Sequence, residues 1–354
     1  MRKICSKIAG NTERLRRVIE MSSKVTMKDI ADKLGISVAA VSKGLTGKGG
    51  VSGELRSRIL RTAEEMGYSI RPPKPVRTSG SDNIGIITPE RFITDNAFYF
   101  KFIHGLTGAL QKNGKYALFH TLTAAGEENL VIPDIFTRQR ADGMIILGQV
   151  SKEYVTAVSS TNIPVVFLDF YNELTAGSCI ICDSFYGSYE ITNHLIACGH
   201  RDIAFVGSIY ATSSIQDRYL GYVKSLMEHR LSVSSARVIN DRDEEGKPIP
   251  IELPQVMPTA FVCNCDETAC RLITKLHSEG IRVPEDVSVT GFDNSVFSSM
   301  ANPNITTVEV NTAQMSALAV DALMERIRSP LSAAGMIQVK GRLIFRDSVR
   351  SVNH

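Results

Sequence analysis

Between residues 83 and 291 short apolar runs alternate with amphipathic stretches, and no other feature restricts the fold of this chain as strongly. Residues 83–88, 116–121, 143–147 and 164–169 are dense in β-branched and aromatic side chains and read as strands. Residues 98–113, 127–140 and 152–160 carry apolar residues at helical spacing. The rhythm then repeats, with helices over 186–198, 216–229 and 267–279 and strands over 202–206, 238–240, 259–264 and 287–291. Apolar strands separated by helices predict parallel sheets covered on both faces. Two such repeats predict two doubly wound α/β lobes, each a core of its own. Ligands bind such sheets beyond the carboxyl ends of the strands, which for two lobes means the cleft between them. One segment, 241–254, breaks the rhythm. Its charges and its prolines at 248, 250 and 254 read as a loop.

Ahead of the lobes the texture changes. Thr26 and Asp29 form a capping-box-like start, and Ile30, Ala31 and Leu34 repeat at helical spacing. Gly35 permits the left-handed backbone that ends that helix. Ser37 can cap a second helix reaching about Leu45, with Val41 and Leu45 packing on the first. A third helix is expected from Ser52 to Gly67, with Leu55, Ile59, Leu60, Ala63 and Met66 as its buried stripe. Three short helices with a glycine turn between the first two match a helix-turn-helix, which sets its second helix in the DNA major groove.

Charge agrees with that reading. The chain of 354 residues carries a net charge of +3, but residues 1–77 hold 17 Lys and Arg against 7 Asp and Glu, leaving 23 against 30 for the rest. A basic head on an acidic body is the electrostatic footprint of nucleic-acid binding by the head alone. Seven cysteines, no signal peptide and no long apolar run fit free thiols in the cytoplasm and no membrane. Cys179, Cys182, Cys263 and Cys265 sit in apolar runs without histidine at ligand spacing, so no metal is expected. Nothing reads as a catalytic group or a cofactor motif. His200 with Asp202 reads as a structural feature at a helix end.

Residues 26–31 (Thr-Met-Lys-Asp-Ile-Ala), 35–37 (Gly-Ile-Ser), 41–43 (Val-Ser-Lys) and 60–68 (Leu-Arg-Thr-Ala-Glu-Glu-Met-Gly-Tyr) together resemble the DNA-binding head of the lactose/galactose repressor (LacI/GalR) family. Further runs carry the resemblance onward to about Ser348: His194 to Gly207, Asp217-Arg218 with Gly221-Tyr222, Asp266-Glu267, and 281–293 ending in Gly-Phe-Asp. It implies a small all-α helix-turn-helix head plus two doubly wound α/β lobes resembling periplasmic sugar-binding proteins. The implied domains are an extension over 1–23, a head over 24–68, a linker over 69–82 and a two-lobed body over 83–354.

By that resemblance Val38, Ala39 and Lys43 face base edges, while Thr26, Ser37, Ser42, Thr46 and Ser52 stand near or on the phosphates. The hydroxyls and lysine suit those roles; Val38 and Ala39 otherwise read as packing inside the head. For the cleft it implies Arg218, Asp266 and Asp169 as effector contacts, and Phe98 and Tyr99 suit the aromatic wall of a sugar site. The bland readings are an Asp169 that caps a loop, a Phe98 and Tyr99 that belong to the core, and an Arg218 that pairs with Asp217 or Glu190. The implied partners are operator DNA, a small carbohydrate effector and a second copy of the chain, paired through the first-lobe helix around 102–110 and the second-lobe helix over 314–327. The alternative is a soluble sugar receptor without DNA function.

Two departures stand out. Pro72, Pro73 and Pro75 in the linker disfavour the hinge helix that the family uses. Residues 1–23 precede the family's usual start. They read either as a short basic helix over 12–20 or as sequence upstream of a start at Met21, since Arg16-Arg17 can be encoded by a ribosome-binding sequence.

Overall fold

The computed structural model describes residues 26–46, 51–66, 68, 80–93, 97–175, 178–244, 246–329, 332 and 335–352. The readings made for the 1–23 extension and the proline-rich linker lie outside them. Two compact units make up the chain, one ending at Ser79 and one beginning at Gly80.

The first unit has three helices, α1 (Met27–Leu34), α2 (Val38–Thr46) and α3 (Gly53–Glu65). Thr26 and Asp29 complete a capping box: the Thr26 backbone N–H donates to the Asp29 carboxylate at 2.7 Å, and the Asp29 N–H donates to the Thr26 hydroxyl at 3.4 Å. These bonds hold the Asp29 carboxyl below its ordinary pKa. Gly35, at φ 66°, closes α1 in the left-handed region. Ile30, Ala31, Val41, Ile59 and Ala63 form the core of the unit. A Cβ on Gly44 would come within 2.5 Å of Ile59 Cδ1, so glycine lets α2 approach α3 this closely. Leu60 is exposed, contrary to the predicted stripe, and Thr62 is buried in its place. Positions 55, 59, 62, 63 and 66 share one face of α3, and Leu60 falls just off it.

The second unit opens with β1 (Asn83–Pro89), α4 (Ala97–Lys112), β2 (Tyr116–Leu122), α5 (Ala124–Glu128), α6 (Asp134–Thr137), β3 (Gly143–Leu147), α7 (Lys152–Ser159), β4 (Val165–Leu168) and β5 (Ser178–Cys182). The single helix expected over 127–140 is thus two short ones. Pro133 cannot continue a helix and instead stands at the cap of α6. Next come α8 (Ser184–Ala197), β6 (Ile203–Val206), α9 (Ser213–Glu228), β7 (Val238–Ile239), β8 (Ala260–Cys263), α10 (Asp266–Ser278), β9 (Ser288–Thr290) and α11 (Val296–Met300). The chain ends with β10 (Thr307–Glu309), α12 (Thr312–Arg328), β11 (Gly335–Val339) and β12 (Arg342–Ile344).

Lobe one is built on a parallel sheet of order β11-β5-β4-β3-β1-β2, lobe two on one of order β7-β6-β8-β9. Strands β10 and β12 pair antiparallel as a separate ribbon. After β10 the chain returns to lobe one, where α12 packs on α4 and against β3, β4 and β5. The helix over 314–327 therefore belongs to lobe one, not lobe two as expected. Gly105 allows the close approach, since a Cβ there would lie 2.6 Å from Ser316 Oγ. Phe102, Leu106 and Leu110, proposed for pairing, are buried within the chain; Phe100, His104 and Thr107 form the exposed face of α4.

Candidate functional site: an exposed recognition helix and an interlobe cleft

Helix α2 is short because Ser37 caps it, its hydroxyl accepting the Ala40 N–H at 3.2 Å. Among its described side chains and glycines, only Val41 and Gly44 are buried. Val38 is 46% exposed, and Ala39 and Lys43 are exposed with it. Neither Val38 nor Ala39 packs inside the head. Ser42 is half-buried, and the Thr46 side chain lies outside the described set. Thr26 and Ser52 are exposed at the starts of α1 and α3, where the Ser52 hydroxyl accepts the Leu55 N–H at 3.3 Å. Thr26, Ser37 and Ser52 thus all lie at helix N-termini, where backbone N–H groups favour phosphate.

The second site lies where the strands of the two lobes end. Gly148 follows β3 at φ 85°, and a Cβ there would stand 2.7 Å from Phe92. That bare backbone leaves room for Phe92 and Tyr99, stacked with centroids 5.0 Å apart and planes 24° apart. Phe98 packs edge-on to Tyr99 and Phe102. Asp169 follows β4 with φ 68°, an uncommon conformation for aspartate. Its carboxylate accepts the Tyr99 hydroxyl at 3.0 Å. Burial pushes the Asp169 carboxyl up to about 7, against the pull of Arg218.

From lobe two comes Arg218, in the second turn of α9 and only 6% exposed. Its Nη1 donates to the Asn264 carbonyl at 2.6 Å and its Nη2 to Asp293 Oδ1 at 3.2 Å. The guanidinium lies 3.9 Å from the centre of the Phe292 ring. It does not pair with Asp217 or Glu190: Asp217 accepts the Tyr171 hydroxyl, and Glu190 takes Lys340. Asp293 has φ 102°, a second aspartate in strained backbone facing the same cavity. Such strain persists where the surroundings over-determine it, commonly at functional sites. Burial raises the Asp293 carboxyl to about 6, with Arg218 opposing.

Asp266 does not line this cavity. It is fully buried behind it, accepting the Ser295 N–H and the Thr307 hydroxyl, both at 2.6 Å. Burial raises it to about 7. Its neighbour Cys265 faces the cavity instead, with its thiol pushed by burial up to about 11. Among the lining residues that sequence reasoning missed are Asp293, Asn264, Ser295 and Arg242. The Gly-Phe-Asp run at 291–293 was a legible signal for Asp293. No signal pointed to Arg242, which stands at the start of the irregular 241–254 loop. There the fully buried Asp241 receives the Ser208 N–H at 2.9 Å and the Asn264 amide and Thr268 hydroxyl at 2.7 Å each. Arg242 grips the same carboxylate with Nε at 3.1 Å and Nη2 at 2.8 Å. These bonds hold Asp241 far below its ordinary pKa, despite its burial.

Two polar groups of the cavity remain unsatisfied within the protein, Arg218 Nε and Ser295 Oγ, both buried. Buried donors are normally paired, which sets these two apart from the other polar groups around the cavity. Three bonds join the lobes around the cleft: Ser213 N–H to Gln149 Oε1, Tyr171 hydroxyl to Asp217 and Lys101 Nζ to the Asn294 carbonyl, each 2.8 Å. His200 plays no part here. It is a buried pin, with Nδ1 3.0 Å from the Thr259 hydroxyl and Nε2 3.0 Å from the Ser288 hydroxyl, and burial lowers its pKa. Asp202 pairs with Arg237 instead. Among the described residues no cluster of three or more His, Cys, Asp and Glu has the arrangement of a metal site, and no helix is long and apolar enough to cross a membrane.

Known proteins resemble both parts of the chain. Residues 26–70 match the bacterial regulatory proteins of the lacI family, and residues 192–349 match the periplasmic binding protein-like domain. The chain belongs to the lacI family. Among relatives of this lacI-family protein, a probable HTH-type transcriptional repressor ExuR of Bacillus subtilis (strain 168) is 29% identical across 92% of this chain and 98% of its own length. A ribose operon repressor of Haemophilus influenzae is 26% identical across 92% and 99%. In fold the chain is similar to the transcriptional regulator CelR in complex with cellobiose, with a TM-score of 0.67 at 22% identity, covering 92% of this chain and 99% of that one. It is likewise similar to the lac repressor dimer bound to operator and the anti-inducer ONPF, with a TM-score of 0.65 at 22% identity, covering 93% and 100%.

Proposed function

We propose that this lacI-family transcription regulator binds operator DNA as a homodimer through α2, and that a small carbohydrate in the interlobe cleft sets its affinity for that DNA. The observation that carries the ligand part is the cleft chamber. It combines a buried Arg218 with an unsatisfied Nε, carboxylates from both lobes and a stacked aromatic pair. Fork-shaped donors, carboxylate acceptors and an aromatic face together suit a polyhydroxyl ring. The complexes of CelR with cellobiose and of the lac repressor dimer with operator support the same reading. In the head, Val38, Ala39 and Lys43 contact base edges, while Thr26, Ser37, Ser42, Thr46 and Ser52 position the helices on phosphates.

A ligand acts only through different affinity for two states of the protein. Here the states differ in how the lobes close across the Ser213–Gln149, Tyr171–Asp217 and Lys101–Asn294 bonds. The ligand is bound, not turned over, and the protein works in the cytoplasm where the DNA is. Fluorescence anisotropy of labelled duplexes, with and without a panel of sugars, tests the proposal. A salt-dependent shift altered by one sugar supports it. A sugar that binds while no duplex does would instead favour a receptor without DNA function, and turnover of the sugar would favour an enzyme.

A further inference from the structure

The cleft is divided into two chambers, and their sizes and charges narrow the ligand class. The inner chamber, about 80 Å³, is bounded by Arg218, Asp293, Asp169, Arg242, Tyr99 and Phe297 among others. At about 30 Å³ per water it holds two or three waters, or a polar head of a few heavy atoms. An outer chamber of about 600 Å³ is lined by residues that include Gln149, Lys152, Tyr171, Glu173, Tyr210 and Gln216. Ligand pockets usually span about 300–1,000 Å³, so the outer chamber alone has room for the body of a ligand. Thr212 lines both chambers, and the first turn of α9 separates them: Ser213 and Gln216 face the outer one, Ser214 and Ile215 the inner.

Charge in the inner chamber is not balanced. Arg218 is committed to Asp293, and Arg242 to Asp241. Asp169 and Glu267 also line the chamber, and neither forms an ion pair among the described residues. Both guanidinium charges are thus answered inside the protein, while Glu267 and Asp169, the latter with its carboxyl raised by burial, are left over. A carboxylate or phosphate entering this poorly solvated space finds no unpaired cation among the lining residues. Hydroxyl groups meet acceptors in Asp169 and Asp293 and donors in Arg218 and Ser295. In the outer chamber Lys152 and Glu173 pair with each other at 2.5 Å, which leaves that wall neutral. Tyr210, 88% exposed at its edge, offers a ring face with no stacking partner among the described residues.

We infer that the effector is a neutral sugar of two or more units, with hydroxyl groups of one unit reaching into the inner chamber and the body of the ligand lying in the outer one against Tyr210 and Gln216. This rests on the carbohydrate reading above and sharpens it. The test is calorimetric titration of the full chain. The probes are cellobiose, lactose, maltose and xylobiose, their constituent monosaccharides, and galacturonate, glucuronate and glucose 6-phosphate. The expected result is one disaccharide that binds at least about tenfold more tightly than either of its units, worth about 1.4 kcal/mol. Tyr210→Ala and Gln216→Ala should remove that advantage, and Arg218→Lys should weaken every sugar. The charged sugars should bind at least about tenfold more weakly than their neutral counterparts, again about 1.4 kcal/mol. A monosaccharide that binds as tightly as its disaccharide, outer-chamber variants without effect, or preference for an acid or phosphate would each overturn the inference and leave the carbohydrate reading standing. If no sugar of any kind binds while the protein remains folded, the carbohydrate reading itself falls.

Discussion

Removing Arg218 should expose how the cleft is held together. In Arg218→Met the Asn264 carbonyl loses its 2.6 Å donor and Asp293 its 3.2 Å ion pair, and the Phe292 ring loses the cation above it. Asp293 would then be buried without its ion-pair partner, leaving only the weaker pull of Lys101 and Arg242. Breaking a buried pair from one side costs about 3–5 kcal/mol. The penalty should depend on pH. Asp293 already titrates at about 6 because of burial. Losing Arg218 raises it further, so near pH 5 the carboxyl is protonated and the uncompensated charge is gone. Chemical denaturation followed by far-UV circular dichroism suits a chain with no tryptophan. We expect a loss of about 3 kcal/mol or more at pH 8 and a clearly smaller one at pH 5. The double variant Arg218→Met/Asp293→Asn should recover part of the loss, with a coupling of about 1–3 kcal/mol. A single-variant cost under about 1 kcal/mol at pH 8, or strict additivity in the double variant, would refute the claim that these two side chains stabilise each other.

Other consequences follow from the same geometry. Asp169, Asp266 and Asp293 hold protons more tightly folded than unfolded, so their share of stability is full only below the ordinary carboxyl value of 3.8 and is lost as pH rises from there through folded values of about 6 to 7. Asp169→Asn should therefore raise the melting temperature at pH 8, and by steadily less as the pH is lowered towards 4, as read by differential scanning calorimetry. Gly221→Ala should cost about 3 kcal/mol, because a Cβ there runs into the backbone carbonyl of Phe185 and cannot push it aside; thermal melts measure it. Thr26→Ala removes the capping box of α1 and should cost the head about 1 kcal/mol in urea unfolding. Lys43→Ala should lose about 1–3 kcal/mol of discrimination at one base pair, measured by competition among single-substituted duplexes, whereas a uniform loss across sequences would mark Lys43 as a phosphate contact.

Much of this fold can be read from local pattern. Runs such as Gly143–Leu147 are apolar throughout because β3 is buried on both faces, and that leaves a plain trace. The Thr26–Asp29 box and Gly35 act within four residues, so they too were legible. Long-range topology left less trace. The stripe of α12 shows that it is buried but not which lobe buries it, and only the return of the chain after β10 decides that. Leu60 was misassigned because its neighbour Thr62 is small enough to serve in the core. In the cleft, Arg218 and Asp169 were anticipated, but Asp266 and Asp293 are both aspartates close to strand ends. What separates them is that Ser295 and Thr307 occupy Asp266 entirely. Arg242 could not be foreseen, since an irregular loop has no periodicity to aim its side chain.

The central claim is that paired heads read a specific DNA site under control of the cleft, and one measurement reaches it most directly. Full-length protein would be used to select bound duplexes from a random-sequence pool, with the enriched population sequenced. Paired α2 helices bind half-sites about one helical turn apart, so the account predicts enrichment of an inverted repeat. Pools without enrichment, or enrichment of a lone half-site with no symmetric partner, would contradict it.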